Sequence, residues 1–416
     1  MTEEIKARIE QIKAGKVPEG YIKTRAGLMP SDWNINKKAK EVFRRHTDKK
    51  HDDSLEILAA TQENGIVPRS QINIDIKCSE EGINGYKKVD AGDFVISLRS
   101  FQGGIEYSPY DGIVSPAYTV LKPAIPISNE YYKNYFKTEE FISRLNSTIY
   151  GIRDGKQIGY DDFGDLIIHN PPLSEQQNIA DILLQCDKVI ALKKERIKEE
   201  KRLKKWLMQK LLNPNSGVRL PGYEKSEWEK TNIGCVTISF SGGTPESSKK
   251  EYYCENGIPF IRSGEISSTK TELFLTQKGY QNSSAKMVNK GDLLYALYGA
   301  NSGDCFISQI HGAINQAILC IRSTKVNIVF LYYVLKNAQN HIVSTYLQGG
   351  QGNLSAAIIK KISAFIPIQN EQIAICKVLS TQDEKIHRLE QELAQWQQKK
   401  KALMQLLLTG IARVPI

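Results

Sequence analysis

Cysteine is scarce in this chain and shows no pairing pattern. Seven residues stand at positions 78, 186, 235, 254, 305, 320 and 376, an odd number with no CxxC among them. That excludes a disulfide framework or a zinc ribbon and points to reduced thiols in a cytoplasmic protein. Long apolar runs are also missing. None approaches the ~18 residues that a membrane-spanning helix needs, and the opening MTEEIKARIEQIKAGK reads as a charged helix, not a signal peptide. The six histidines, at 46, 51, 169, 311, 341 and 387, have no metal-ligand spacing with the cysteines. No GxxxxGK[ST] phosphate loop is present. The glycine-rich stretches at 241–243, 299–303 and 349–352 therefore read as turns, or as loops that approach a nucleic-acid backbone closely. The acidic pairs Asp52-Asp53 and Asp161-Asp162 lack the (D/E)xK setting of a nuclease and read as surface charge or turns.

What is present is positive charge, unevenly placed. The net charge is +10 on 416 residues, which suggests an anionic partner, nucleic acid first. Residues 1–172, however, carry 24 basic and 25 acidic side chains, whereas 173–212 carry 10 and 6 and 213–368 carry 15 and 10. The excess thus lies in one segment and the second half, and charge alone does not identify a DNA-binding protein. The length calls for two to three domains.

A repeat decides the organisation. Residues 171–212, PPLSEQQNIADILLQCDKVIALKKERIKEEKRLKKWLMQKLL, recur 196 positions later as PIQNEQIAICKVLSTQDEKIHRLEQELAQWQQKKKALMQLLL, with 14 of 42 positions identical and no gap. Glu175/Glu371, Gln176/Gln372, Asp187/Asp383, Leu207/Leu403 and Met208/Met404 are among the identities. Both copies carry one heptad: Leu183, Ile190, Ile197, Lys204 and Leu211 in the first; Leu379, Ile386, Leu393, Lys400 and Leu407 in the second. Companion apolar positions are Val189, Leu203 and Leu207, and Leu389, Trp396 and Leu403. A 3.5-residue period held this long predicts a coiled coil. A shared register makes each helix the simplest partner of the other, in a rod of roughly 60 Å. Ser174 and Asn370 are candidate N-caps after Pro171-Pro172 and Pro367; Asn213–Gly217 and Thr409-Gly410 end the helices.

Between the helices the pattern is mixed α/β. The runs Gly92–Leu98 and Gly291–Leu297 each predict a Gly-Asp turn entering a buried strand. Trp33 and Trp228 occupy matching places in PSDW and KSEW. The expected domains are an N-terminal helix (1–15), a first globular region (16–165), a central helix (166–213), a second globular region (214–360), and a distal helix with its tail (361–416). Further similarity between the globular regions is slight, as expected of domains that recognise different things on one scaffold.

Over essentially its full length the chain resembles the specificity subunit of Type I restriction–modification enzymes. The PPLSEQQNIADILLQCD and PIQNEQIAICKVLSTQDEKI helix starts carry the resemblance. So do the KKWLMQKLL and KKALMQLLL ends, the alternating domain–helix order and the SGGTP run at 241–245. The resemblance implies two α/β target-recognition domains, each reading half of a split double-stranded DNA sequence. It implies two helices in an antiparallel, pseudo-twofold coiled coil that sets the gap and docks two modification (methyltransferase) subunits, with restriction subunits joining them. It also implies no catalysis and no cofactor here: S-adenosylmethionine, ATP and magnesium would belong to the partner subunits. PIQNEQ in place of PPLSEQ is a modest departure.

The sharpest rival is Asn170-Pro171-Pro172-Leu173. Amino-group DNA methyltransferases use Asn/Asp-Pro-Pro-aromatic to hold a flipped base, and a DNA adenine methyltransferase acting alone is the alternative. Leu173 supplies no ring, and the repeat partner of Asn170 is Ile366. A strand end before a proline-started helix is the better reading. A coiled-coil adaptor that binds only protein is a third. Readout of DNA needs Arg, Lys, Asn and Gln at base edges and small polar groups on phosphates. Loop candidates are Arg69, Ser70, Arg99, Ser100, Gln102 and Gly103 in the first region. In the second they are Thr244, Lys249, Lys250, Arg262, Ser263, Tyr298 and Asn301.

Overall fold

Two Gly-Asp turns lead into an interior strand of the matching four-stranded sheets. Gly92 and Gly291 adopt φ of +103° and +97°, open to glycine at little cost. The next residue then bonds backward: Asp93 Oδ2 accepts from the Asp90 amide at 2.9 Å, and Asp292 Oδ2 from the Asn289 amide at 2.7 Å. Strands Phe94–Ile96 and Leu293–Ala296 follow, buried throughout, as the apolar runs predict. This computed structural model describes residues 2–24, 27–34, 36–51, 55–61, 65–72, 85–98, 100, 104–148, 158–347 and 353–414.

The chain forms two units. The first comprises residues 1–193 with 392–416, and the second residues 194–391. In the first, an antiparallel sheet has the order Phe43–His46, Thr119–Pro123, Phe94–Ile96, Glu106–Tyr107. The second unit repeats that order with Ile238–Ser241, Ile318–Arg322, Leu293–Ala296 and Cys305–Ile307. A second layer differs more. Unit one pairs Lys87–Val89 with Gly112–Val114, beside the hairpin Leu58–Thr61/Gly65–Pro68. Unit two has a five-stranded sheet in which Ile258–Ile261 runs parallel to Gly312–Ile314. Gly112 and Gly312 both admit a crossing chain: a Cβ there would sit 2.5 Å from Glu56 O or Pro259 O.

Each core is closed by helices. Phe43, Phe94, Tyr132 and Phe136 pack edge-on or tilted with ring centroids 5.0 to 5.6 Å apart, Tyr132 from helix Asn129–Tyr135 and Phe136 from its C-cap. In unit two Phe330, Leu331, Tyr333 and Leu335 of helix Ile328–Leu347 cover Leu293, Tyr295, Leu319 and Ile321.

The repeated segments are helices Leu173–Leu211 and Gln369–Leu408. Their heptad residues Leu183, Ile190, Ile197 and Leu211, and Leu379, Ile386 and Leu407, are buried. Within unit one, Asp187 pairs with Lys400 and Lys193 with Glu392, so the two segments run antiparallel. Within unit two, Glu200 pairs with Lys385 and Lys204 with Asp383, in the same sense. A buried leucine contributes roughly 1.5–3 kcal/mol and an exposed ion pair at most about 1 kcal/mol. The apolar seam therefore holds the coil and the charges set its register.

Two local expectations change. Both helices begin before the candidate caps: the first i→i−4 bonds run from Gln176 N to Pro172 O and from Gln372 N to Ile368 O, so Ser174 and Asn370 lie inside the first turn. The reason is that Gln176 and Gln372 tie these ends down themselves, as described below. Leu203, expected on the seam, is instead 42% exposed. The helices end as expected, before Gly217 and Gly410 at φ of +75° and +71°. Among the described residues no helix is long and apolar enough to cross a membrane.

Candidate nucleic-acid interface

In the second unit, strand Ile238–Ser241 runs into Gly242-Gly243-Thr244. A Cβ on Gly242 would lie 1.8 Å from Ile314 O, and one on Gly243 1.8 Å from Ser284 Oγ. The two glycines thus lay the chain flat on the neighbouring sheet, where Gly242 N donates to Asn315 O. Thr244 is left exposed and donates to Gln316 Oε1 at 2.6 Å. From the other side, the Tyr298 hydroxyl donates to Gln316 O at 2.5 Å.

Tyr298 opens a loop turned by Gly299 and Gly303, both at φ of +91°. A Cβ on Gly299 would lie 3.8 Å from Ser263 Oγ, and one on Gly264 3.5 Å from Asn301 Nδ2. Thr244, Ser263, Tyr298 and Asn301 are thereby drawn together at one corner, with Gln316 linking two of them. Gln316 is exposed. Its carboxamide both donates and accepts, the chemistry that reads an adenine edge. The sequence reading overlooked it, although Asn315-Gln316 directly follows a buried strand.

The remaining second-unit candidates lie differently. Arg262 turns to Glu265, at 3.1 Å, and to Glu272. Burial opposes ionisation of Glu265, but hydrogen bonds from Arg262 and from the backbone outweigh it and hold the carboxyl below its ordinary range. Lys249 pairs with Glu246 at 3.0 Å and lies over the Tyr252 ring; Lys250 is exposed.

In the first unit Arg69 and Ser70 begin the single turn Arg69–Gln71, just after strand Gly65–Pro68. Arg69 is half-buried, while Ser70 is exposed and donates to Glu56 at 2.5 Å. Ser100 is buried, its hydroxyl accepting from the Ser97 amide at 2.9 Å, so it braces a turn. Arg99, Gln102 and Gly103 lie outside the described residues.

The invariant pairs of the repeat meet in one arrangement, formed twice. Glu175, buried at the first helix start, accepts from Trp33 Nε1 at 2.9 Å and from Arg413 Nε at 2.8 Å; Arg413 also forks onto Asp32. Glu371, equally buried, accepts from Trp228 Nε1 at 3.0 Å and Arg219 Nη1 at 3.3 Å. Beside each, a glutamine closes the helix start. Gln176 donates to Pro171 O and accepts from Ser128 N; Gln372 donates to Pro367 O and accepts from Asn327 N.

Asn170, the first residue of the Asn-Pro-Pro-Leu run, belongs to this scaffold. Its Oδ1 accepts from the Tyr132 hydroxyl at 2.9 Å and from Gln176 Nε2 at 3.3 Å. Among the described residues no group of three or more His, Cys, Asp or Glu side chains is placed to hold a metal ion.

The model of the type I restriction modification DNA specificity domain matches this chain twice, over residues 30–201 and 225–396. The chain belongs to that family. It is similar to two proteins of Methanocaldococcus jannaschii. One, the type I restriction enzyme MjaVIII specificity subunit, is 27% identical, with 78% of this chain and 80% of that protein covered. The other, provisionally named the type I restriction enzyme MjaX specificity subunit, is 29% identical, over 95% and 97%. Two solved structures share the fold. A chain from a study of complex assembly and conformational transition of the type I R-M system aligns with TM-score 0.59 at 16% identity, covering 95% of this chain and all of that one. A type I restriction-modification S subunit from M. genitalium aligns with TM-score 0.54 at 15% identity, over 90% and 96%. The protein is a specificity subunit with two target-recognition domains, and its part is DNA recognition, not catalysis. The lone-methyltransferase reading has no support: the residue it needs is a hydrogen-bonded part of the helix start.

Proposed function

We propose that each unit reads one half of a split double-stranded DNA target while the paired helices fix the gap. In this reading the coil docks two modification subunits and, with them, restriction subunits in the cytoplasm. S-adenosylmethionine, ATP and magnesium are bound by those partners. The observation that carries the reading is a contrast between the units. They repeat the sheet order and the Trp–Glu–Arg helix clamp, yet differ in the loops at the sheet corner, where the second unit gathers candidate residues Thr244, Ser263, Tyr298 and Asn301. A repeated scaffold under divergent loops supports two different half-sites served by one kind of docking partner.

The test exchanges residues 16–165 for the matching domain of another family member, followed by sequencing of methylated bases in cells that also make the modification subunit. One half of the methylated motif should change, with the other half and the gap retained. Change in both halves, or in neither, rejects the assignment.

A further inference from the structure

The first unit has its own version of the corner where Thr244 and Gln316 meet, and it is cationic. Strand Phe43–His46 occupies the edge place that Ile238–Ser241 takes in the second unit. The segment after it, residues 47–51, passes beside strand Lys87–Val89, where Asp48 O accepts from Lys88 N. The Gly242–Thr244 segment likewise lies beside Ser284, just ahead of Lys286–Val288. The turn at Ser115–Tyr118 then corresponds to Asn315–Ile318.

At this corner Lys87 is 7% exposed, and its ammonium donates to the carbonyl oxygen of Tyr118, not to a carboxylate. Burial, with Arg45 and Lys49 nearby, pushes the ammonium below its ordinary range. Exposed Arg45 and Lys49 lie close to it, and neither is in an ion pair among the described residues. Arg44 and Lys50, their exposed neighbours in the chain, are likewise without one among the described residues. The acidic neighbour, Asp48, turns its carboxylate to the Lys50 amide at 2.8 Å. Elsewhere in the same unit the partly buried cations Lys122, Lys137 and Arg413 each face a carboxylate.

Like charges gathered without counter-ions repel, and a fold tolerates such an arrangement where an external anion relieves it. A unit whose first 172 residues hold 24 basic and 25 acidic side chains has no general surplus to explain it. We infer that Arg45 and Lys49, beside Lys87, form the surface on which the first recognition domain grips the phosphate backbone of double-stranded DNA. The corresponding corner of the second domain presents neutral Thr244, Tyr298 and Gln316. The two domains therefore divide the work: the first carries a salt-sensitive grip at its corner, the second a neutral hydrogen-bonding one.

The inference rests on the DNA-recognition role, and the experiment separates the two. The full chain, assembled with its modification subunit, is titrated onto duplex DNA carrying its target over a range of salt concentrations. Arg45→Gln/Lys49→Gln is compared with wild type and with Lys13→Gln/Lys23→Gln, which removes two exposed charges elsewhere in the same unit. The slope of log affinity against log salt should become shallower by about 2 in the corner variant, at about 0.9 per phosphate contact. The control slope should stay, as should the variant's preference for target over non-target DNA and its melting temperature. An unchanged corner slope overturns the inference. So does an altered sequence preference at unchanged slope, which would make these residues base readers, or weaker binding to the modification subunit at unchanged slope. Absence of target preference in the wild-type complex would instead overturn the DNA-recognition reading itself.

Discussion

Lys400 and Asp187 form a forked ion pair, with the ammonium 2.6 and 2.7 Å from the two carboxylate oxygens, and both come from the repeated segments. The second unit contains the same pair with the helices exchanged, Lys204 on Asp383 at 2.5 Å. The lysine that interrupts the apolar seam is thus matched to the repeat's own aspartate. Both pairs are part-exposed, so coupling energies are modest, about 0.5–1 kcal/mol. A double-mutant cycle with Lys400→Gln and Asp187→Asn, followed by urea denaturation, should return that value. The Lys204/Asp383 cycle should return somewhat more, because Asp383 also accepts from the Tyr333 hydroxyl at 2.8 Å.

Glu175→Ala leaves the Trp33 indole without its acceptor and removes one of the two carboxylates on Arg413. The destabilisation should fall at the lower end of roughly 3–5 kcal/mol, because Asp32 still holds the guanidinium. Glu371→Ala should act similarly on the second unit. Denaturant midpoints measure both, and Glu175→Gln should recover most of the loss by accepting from the indole.

Gln316→Ala should cost about 1–3 kcal/mol of discrimination at one base pair of the target. Lys250→Gln should leave discrimination alone and lower the salt slope by about 1. Competition binding with singly substituted duplexes distinguishes the two. Equal loss on every duplex from Gln316→Ala would mean that the residue only braces Thr244 and the Ser241–Thr244 turn.

Equivalent aspartates should show opposite pH dependence. For Asp292, burial raises the pKa, but the Arg322 fork and the Asn289 amide outweigh it and hold the carboxyl below its ordinary value. Its stabilising contribution is present above the unfolded pKa and lost as pH falls through the folded one. Asp93, buried with a single lysine contact and a backbone amide, is raised by desolvation. There the folded state binds the proton more tightly, so its contribution fades as pH rises from the unfolded value through the folded one. Below about pH 4, Asp292→Asn should flatten the acid loss of stability, whereas above about pH 4 Asp93→Asn should steepen it.

The scaffold was legible because it is repeated: the heptads, the Gly-Asp turns and the matching Trp, Glu and Asp residues each appear twice, about 195 to 199 positions apart. The meeting of Trp33 with Glu175 was not legible, since 142 residues separate them and only the fold joins them. Arg413 and Arg219 were harder still, lying beyond the repeated segments with no motif around them. Loop candidates were chosen by residue type beside strands, which locates Thr244 and Tyr298 near Gln316 but cannot see that Ser100 is buried or that Arg262 is held by two glutamates. The cationic corner escaped notice because the basic run that holds Arg45 and Lys49 is followed at once by Asp52, Asp53 and Glu56, which cancel it in a regional charge count, and only the fold brings Lys87 to it.

The Trp–Glu–Arg clamp of the first unit has a consequence for the order of synthesis. Its three members are Trp33, Glu175 and Arg413, so the unit that holds Trp33 and Glu175 cannot complete its clamp until Arg413 has been translated, 238 residues after Glu175. Residues 194–391, with Arg219, Trp228 and Glu371 all inside them, are translated whole before that. Of the two units, the one entered first is completed second.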